Sequence, residues 1–229
     1  MSALVLVLGL VLQAQQPAPQ PQPPPLRSEG VGGRTITPAH DTYEREFRLT
    51  TPAARAELHG FAGCVVGRSR ELAIEVLGHD FTTARYRNAL RLLARNNERC
   101  FSRRRSLSAS GLPFAGSLAE QLLSQNPTPL NVRLARAVAE PAPRAFSASD
   151  RISLCVVRSV PDDVARLLAA EMGSTEENDA VAALDLAVRA CSQGGPRLET
   201  PPAGLRAILA TAAFRTVQSA AQPSTEARN

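Results

Sequence analysis

LCVVRSVPDDVARLLAAE, residues 154–171, is the stretch whose reading decides the fold. Its Cys155-Val156-Val157 repeats Cys64-Val65-Val66, 91 positions upstream. Each of these cysteines is followed by another 36 residues later, Cys100 and Cys191, and the chain has four in all. Laid over one another without a gap, the segments from Phe61 and from Ile152 also match Leu77 with Leu168, Ala89 with Ala180 and Leu93 with Leu184. Further on, Leu107, Leu118 and Ala119 fall on Leu198, Leu209 and Ala210. The matched positions are mostly apolar or capping residues, as expected where a stacking face rather than a site has been kept.

Within each unit the periodicity predicts four helices. In the N-terminal unit Thr51-Pro52 pairs a hydroxyl N-cap with proline at the first helical position, and Leu58, Phe61, Ala62 and Val65 recur at helical spacing. In the C-terminal unit Pro161-Asp162-Asp163 places carboxylates on the first turn of a helix, where the dipole favours them, and Val164, Leu167, Leu168 and Met172 follow as its apolar stripe. Gly173 breaks the chain, and Ser174 with Glu177 makes a capping box for a helix carrying Val181, Leu184, Val188 and Cys191 on one face. The counterpart face is Leu90, Leu93, Asn97 and Cys100. A fourth helix follows Pro201-Pro202, with Leu205, Ile208, Leu209 and Ala212 inward. No run of alternating β-branched residues occurs, so the class is all-α: two tandem four-helix repeats.

Four cysteines allow three pairings. The repeat selects Cys64 with Cys100 and Cys155 with Cys191, with the leading cysteine on the buried side of the first helix. Each bridge would close a loop of some 37 residues, worth about 4 kcal/mol in the chain-entropy account. An even cysteine count without C-x-x-C or a suitably spaced histidine fits an oxidising compartment better than zinc or thiol chemistry.

Other features give the same compartment. An apolar run, Ala3 to Leu12, is too short to span a bilayer but suits the core of a signal peptide over residues 1–14, cut after Ala14. Residues 15–50 begin with the proline tract QQPAPQPQPPPL and read as an extended tether followed by loop. The rest divides into a first repeat at 51–124, a connector at 125–142 with a short helix over Leu130 to Ala139, a second repeat at 143–219, and a loose tail at 220–229. A periplasmic or secreted protein without a transmembrane span follows.

Charge separates the units. All 26 basic residues are arginine, a bias that GC-rich codon usage accounts for, and the net charge of +5 alone says little about partners. Yet from Phe61 to Leu123 there are ten arginines against five acids, while from Ile152 to Phe214 five arginines face eight acids. Packing of the basic unit against the acidic one is the simplest expectation. Arg87, Arg91, Arg95, Arg99 and Arg103 step by four along the third helix and just beyond it, a candidate ligand-binding face for a phosphate, a carboxylate or an acidic envelope protein. Nucleic acid is not expected, since the aromatic residues used for base stacking are scarce.

Catalytic chemistry finds little purchase. His79-Asp80, near Thr82 and Thr83, is the nearest approach to a hydrolase cluster, but no nucleophile elbow accompanies it. His40 and His59 show no metal-ligand spacing with His79, and neither metal nor cofactor is expected. Binding by a non-enzymatic protein is therefore the first expectation, with an envelope hydrolase using His79 and Asp80, or a structural spacer, as alternatives.

At CVVRSVPDDVARLLAAE and its following cysteine the chain resembles uncharacterised exported proteins of alphaproteobacteria, chiefly sphingomonads. The resemblance covers most of both units and implies export and a duplicated helical scaffold; it brings no activity, cofactor or site residue. The N-terminal unit departs from it, with Gly67 in place of the arginine and Arg70 in place of the proline.

Overall fold

Helix α1, Pro52–Gly78, begins where the sequence places it: Thr51 Oγ1 accepts the amide of Ala54 at 3.2 Å and Pro52 occupies the first turn. The computed structural model describes residues 51–101, 111–193, 198 and 200–221, all within one unit, Thr37–Asn229. The signal peptide, the tether, Arg103 and the tail from Gln222 onward lie outside the described residues. Among those described every element is helical: α2 Ala84–Asn96, a 3-10 turn Glu98–Cys100, α3 Gly111–Ser124, α4 Leu130–Val138, α5 Ala148–Ser159, α6 Pro161–Ala169, α7 Thr175–Cys191 and α8 Pro202–Ala221. No helix is long and apolar enough to cross a membrane, again among the described residues.

The elements correspond at the offset read from the sequence. Thr83 caps α2 by accepting the amide of Tyr86, and Ser174, 91 positions on, caps α7 by accepting that of Glu177. Where α1 kinks, Ser69 has φ −139° and ψ 42°; Val160, its counterpart between α5 and α6, has φ −136° and ψ 62°. One backbone bend thus serves both halves. In the C-terminal half Pro161 has no amide to continue the ladder and the chain divides into two helices. In the N-terminal half Arg70 keeps its amide, so the expected first and second helices run together across a kink. Asn97 fills the space inside that bend, its Nδ2 donating to Ser69 Oγ at 3.1 Å and to the carbonyl of Leu93 at 2.9 Å. It is buried and hydrogen-bonded, as a polar group there must be.

The core is built around α3 and α8, which pack against one another while α1 flanks α3 and α5 flanks α8. Both are buried around most of their circumference. They cross at Gly116 and Ala207, themselves 91 positions apart, so that equivalent positions meet as they do across a twofold interface. A Cβ on Gly116 would lie 2.6 Å from that of Ala207, so only glycine permits this approach. The N-terminus of α1 locks into the other half at the turn before α7, where Gly173 has φ +82° and an added Cβ would lie 2.5 Å from Pro52.

Disulfides join Cys64 to Cys100 and Cys155 to Cys191, with Cα–Cα distances of 5.7 and 5.8 Å. Their placement corrects one expectation. Cys64 is exposed and Cys155 only half-buried, while Val65, Val66, Val156 and Val157 are fully buried. With about 100° per residue, a helix that turns two consecutive valines inward must carry the preceding residue toward the rim. The bridges therefore clasp the edge of each bundle rather than its centre.

Connector helix α4 is slightly shorter than expected, and α8 runs two residues past the end assigned to the second repeat. Leu134 and Ala137 bury the inner face of α4. Arg158 closes its C-terminus, donating to the carbonyls of Ala137, Val138 and Glu140 at 3.2, 2.9 and 3.0 Å. The counterpart of Arg158 is Gly67, beside which nothing lies within 4 Å of an added Cβ. Among the described residues no helix end lies against Gly67.

Candidate functional site

The exposed half of α2 carries a run of like charge. Arg87, Arg91 and Arg95 are exposed on successive turns, with Arg99 following in the 3-10 turn. At 1.5 Å per residue, steps of four set neighbouring guanidinium stems about 6 Å apart. Arg85 and the 56 % exposed Leu92 share this half of the helix, together with Asn88 and Asn96. No carboxylate of the described residues pairs with any of these arginines. Arg87 Nη1 donates to the carbonyl of Thr82 and Arg91 Nη2 to Asn88 Oδ1, both at 3.0 Å, which leaves most of their donors facing outward.

The counterpart helix has the opposite character. Glu176, Asp179 and Asp185 are exposed on α7, beside Leu186 at 72 % exposure. Among the described residues only Asp185 of these three has a cation, Arg189 at 2.8 Å on the same helix. The basic and acidic helices do not pack on each other, so the expected neutralisation of one unit by the other does not take place through them.

Between the halves the fold instead builds a separate ion network from residues the sequence reading passed over. Arg206 Nε and Nη2 donate to the two carboxylate oxygens of Glu120 at 3.0 and 2.7 Å. Its Nη1 reaches Glu177 at 3.1 Å and the carbonyl of Ala170 at 2.8 Å, and Nη2 reaches that of Leu168 at 3.2 Å. All five guanidinium protons are used. Glu177 also accepts both terminal nitrogens of Arg55 and, at 2.7 Å, the amide of Gly173. The capping box therefore forms one residue early, with the carboxylate on Gly173 rather than Ser174. Burial opposes ionisation of Glu177, but the donors from Arg55, Gly173 and Arg206 prevail and hold its pKa below the usual value.

His59 borders this network, its Nδ1 buried and 3.8 Å from Glu120 Oε2 without a hydrogen bond. Burial lowers its pKa, Glu120 opposes that and Arg206 adds to it. A second pair, Arg215 Nη1 on both oxygens of Asp150 at 2.7 Å, is also buried, and Arg215 stacks over Phe146 at 4.3 Å. These two arginines sit in an otherwise apolar helix, LRAILATAAFR, which is the signal that would have found them.

His79 and Asp80 are not brought together as a catalytic pair. Asp80 accepts the amide and hydroxyl of Thr82 at 2.9 and 2.6 Å, closing a turn before α2, and these bonds lower its pKa. His79 caps α1, with Nε2 3.6 Å from Glu75. Among the described residues no group of three His, Cys, Asp or Glu is placed to hold a metal ion.

Two concavities border these residues. One of about 30 Å³, between Arg55, Glu120, Met172 and Arg206, is of the size that holds water rather than a larger ligand. The other, of about 410 Å³, is a shallow groove over Ile74, Phe146 and Phe214, edged by Glu75, Arg144 and Gln218. No family model, curated protein or solved structure matches the chain.

Proposed function

We propose that this is an exported, non-enzymatic binding protein, a duplicated helical unit whose arginine-bearing α2 face docks an acidic surface of a protein partner in the cell envelope. The observation that carries the reading is that Arg85, Arg87, Arg91 and Arg95 stand exposed on one half of a helix with no carboxylate of the described residues answering them. A structural charge cluster of the kind found between the halves is neutralised where it lies; this one is left open. The two disulfides are compatible with an oxidising compartment and support export. The resemblance to exported sphingomonad-type proteins points the same way.

Retention of envelope proteins by the immobilised full chain should fall with rising salt and be lost with Arg91→Glu and Arg95→Glu together. Unchanged retention by that variant removes the α2 face from the proposal.

A further inference from the structure

We infer that the acidic surface met by α2 is the α7 face of a second copy of this chain, so that molecules associate head to tail. This deepens the reading of the α2 face and rests on it. The first ground is charge complementarity between two faces that cannot satisfy each other within one molecule. Helices α2 and α7 are counterparts at the offset of 91, and they pack on different elements, α2 on α1 and α3, α7 on α5, α6 and α8. One presents Arg85, Arg87, Arg91 and Arg95 without an acid; the other presents Glu176 and Asp179 without a cation, and Asp185 with a single one.

The second ground is apolar. Among the described residues Leu92 and Leu186 are the most exposed large hydrophobic side chains, at 56 % and 72 %, and one stands on each charged face. A leucine ringed by charge is what the centre of a small docking patch requires. Because the two faces differ, each contact joins unlike surfaces. A single α2–α7 contact leaves one α2 and one α7 unmatched, so association either continues or closes through a second, reciprocal contact.

Sedimentation velocity on the disulfide-intact protein tests this. At about 10 mM salt, where screening reaches about 30 Å, the weight-average sedimentation coefficient should rise with concentration. At about 1 M salt, with screening at about 3 Å, that rise should be lost. Arg91→Glu with Arg95→Glu cancels the charge of the α2 face, leaving two cations and two anions among its four positions, and Asp179→Arg with Asp185→Arg makes both faces basic, so each variant alone should stay monomeric. An equimolar mixture should associate again, since each then offers the other its complement. All these positions are exposed, and unchanged thermal melts check that both variants fold; Leu92→Ser and Leu186→Ser should each weaken association without altering charge.

A wild-type chain that stays monomeric at low salt, or a mixture that does not recover association, overturns the inference. Should the wild type be monomeric while envelope proteins are still retained through Arg91 and Arg95, the inference fails and the function proposed above stands. If that retention is absent too, both fail.

Discussion

Glu177 is reached by four donors from three directions, two from Arg55 and one each from Arg206 and Gly173. Removing the carboxylate with Glu177→Ala would leave two guanidinium groups facing a buried gap, and breaking a buried pair in this way costs about 3–5 kcal/mol. Urea unfolding should show that loss as a lower midpoint with little change in slope. His59 gives a second expectation. Its pKa is lowered in the folded chain from an ordinary 6.5, so folding favours the neutral ring. The stability this confers is complete above pH 6.5 and falls as the pH drops through the lower folded value. Melting temperatures between pH 7.5 and 5 should therefore decline less steeply in His59→Phe than in the natural chain. At this scale the sequence was legible only in part. Caps such as Thr51 and Ser174 depend on neighbours in the chain and could be read. Arg206 and Glu120 find each other across 86 positions, so their pairing becomes visible only once two helices are packed.

Helices are the scale at which the sequence spoke most plainly. Period, cap and break residues placed α1, α2 and α4 to α8 because each rests on local chemistry, and the offset of 91 carried the reading of one half to the other. The same offset did not predict that α1 continues past its kink at Ser69, since the difference turns on one backbone amide at Arg70. It also suggested a buried Cys64, where the two valines beside it claim the inward direction. The crossing of α3 over α8 gives a sharper test. Gly116→Ala gains about 1 kcal/mol in helix propensity yet drives a methyl into Ala207 at 2.6 Å. Overpacking of this kind costs about 1–3 kcal/mol, so the net effect should be destabilising, and adding Ala207→Gly should not restore stability, because the Cα of residue 207 also lies 2.7 Å from the added methyl. Chemical denaturation of the two single variants and the double one decides the point. On the same footing, replacing Cys155 and Cys191 by alanine should lower stability by about 4 kcal/mol, because the open loop regains its freedom when unfolded.

Across the whole molecule, the charge division read from the sequence is real but is not spent where expected. The basic and acidic helices turn outward, and the ions joining the halves are a different set. That set is lopsided. On one side of the α3–α8 seam Arg55 meets Glu177; at the counterpart positions across it stand Phe146 and the buried Tyr86, whose hydroxyl pKa is pushed up to about 12 by burial, with Phe81 edge-on to both rings. An ionic lock thus holds one flank and an aromatic clasp the other. A pair made from two N-terminal halves would bury Glu120 opposite Ala115 with no cation to answer it, and would confront Arg55 with a phenol. Two C-terminal halves would face Arg206 with Thr211 and Glu177 with a phenyl ring. Each half has become a poor mate for its own kind and a good one for its sibling, which binds the two into a permanent marriage of unlike twins.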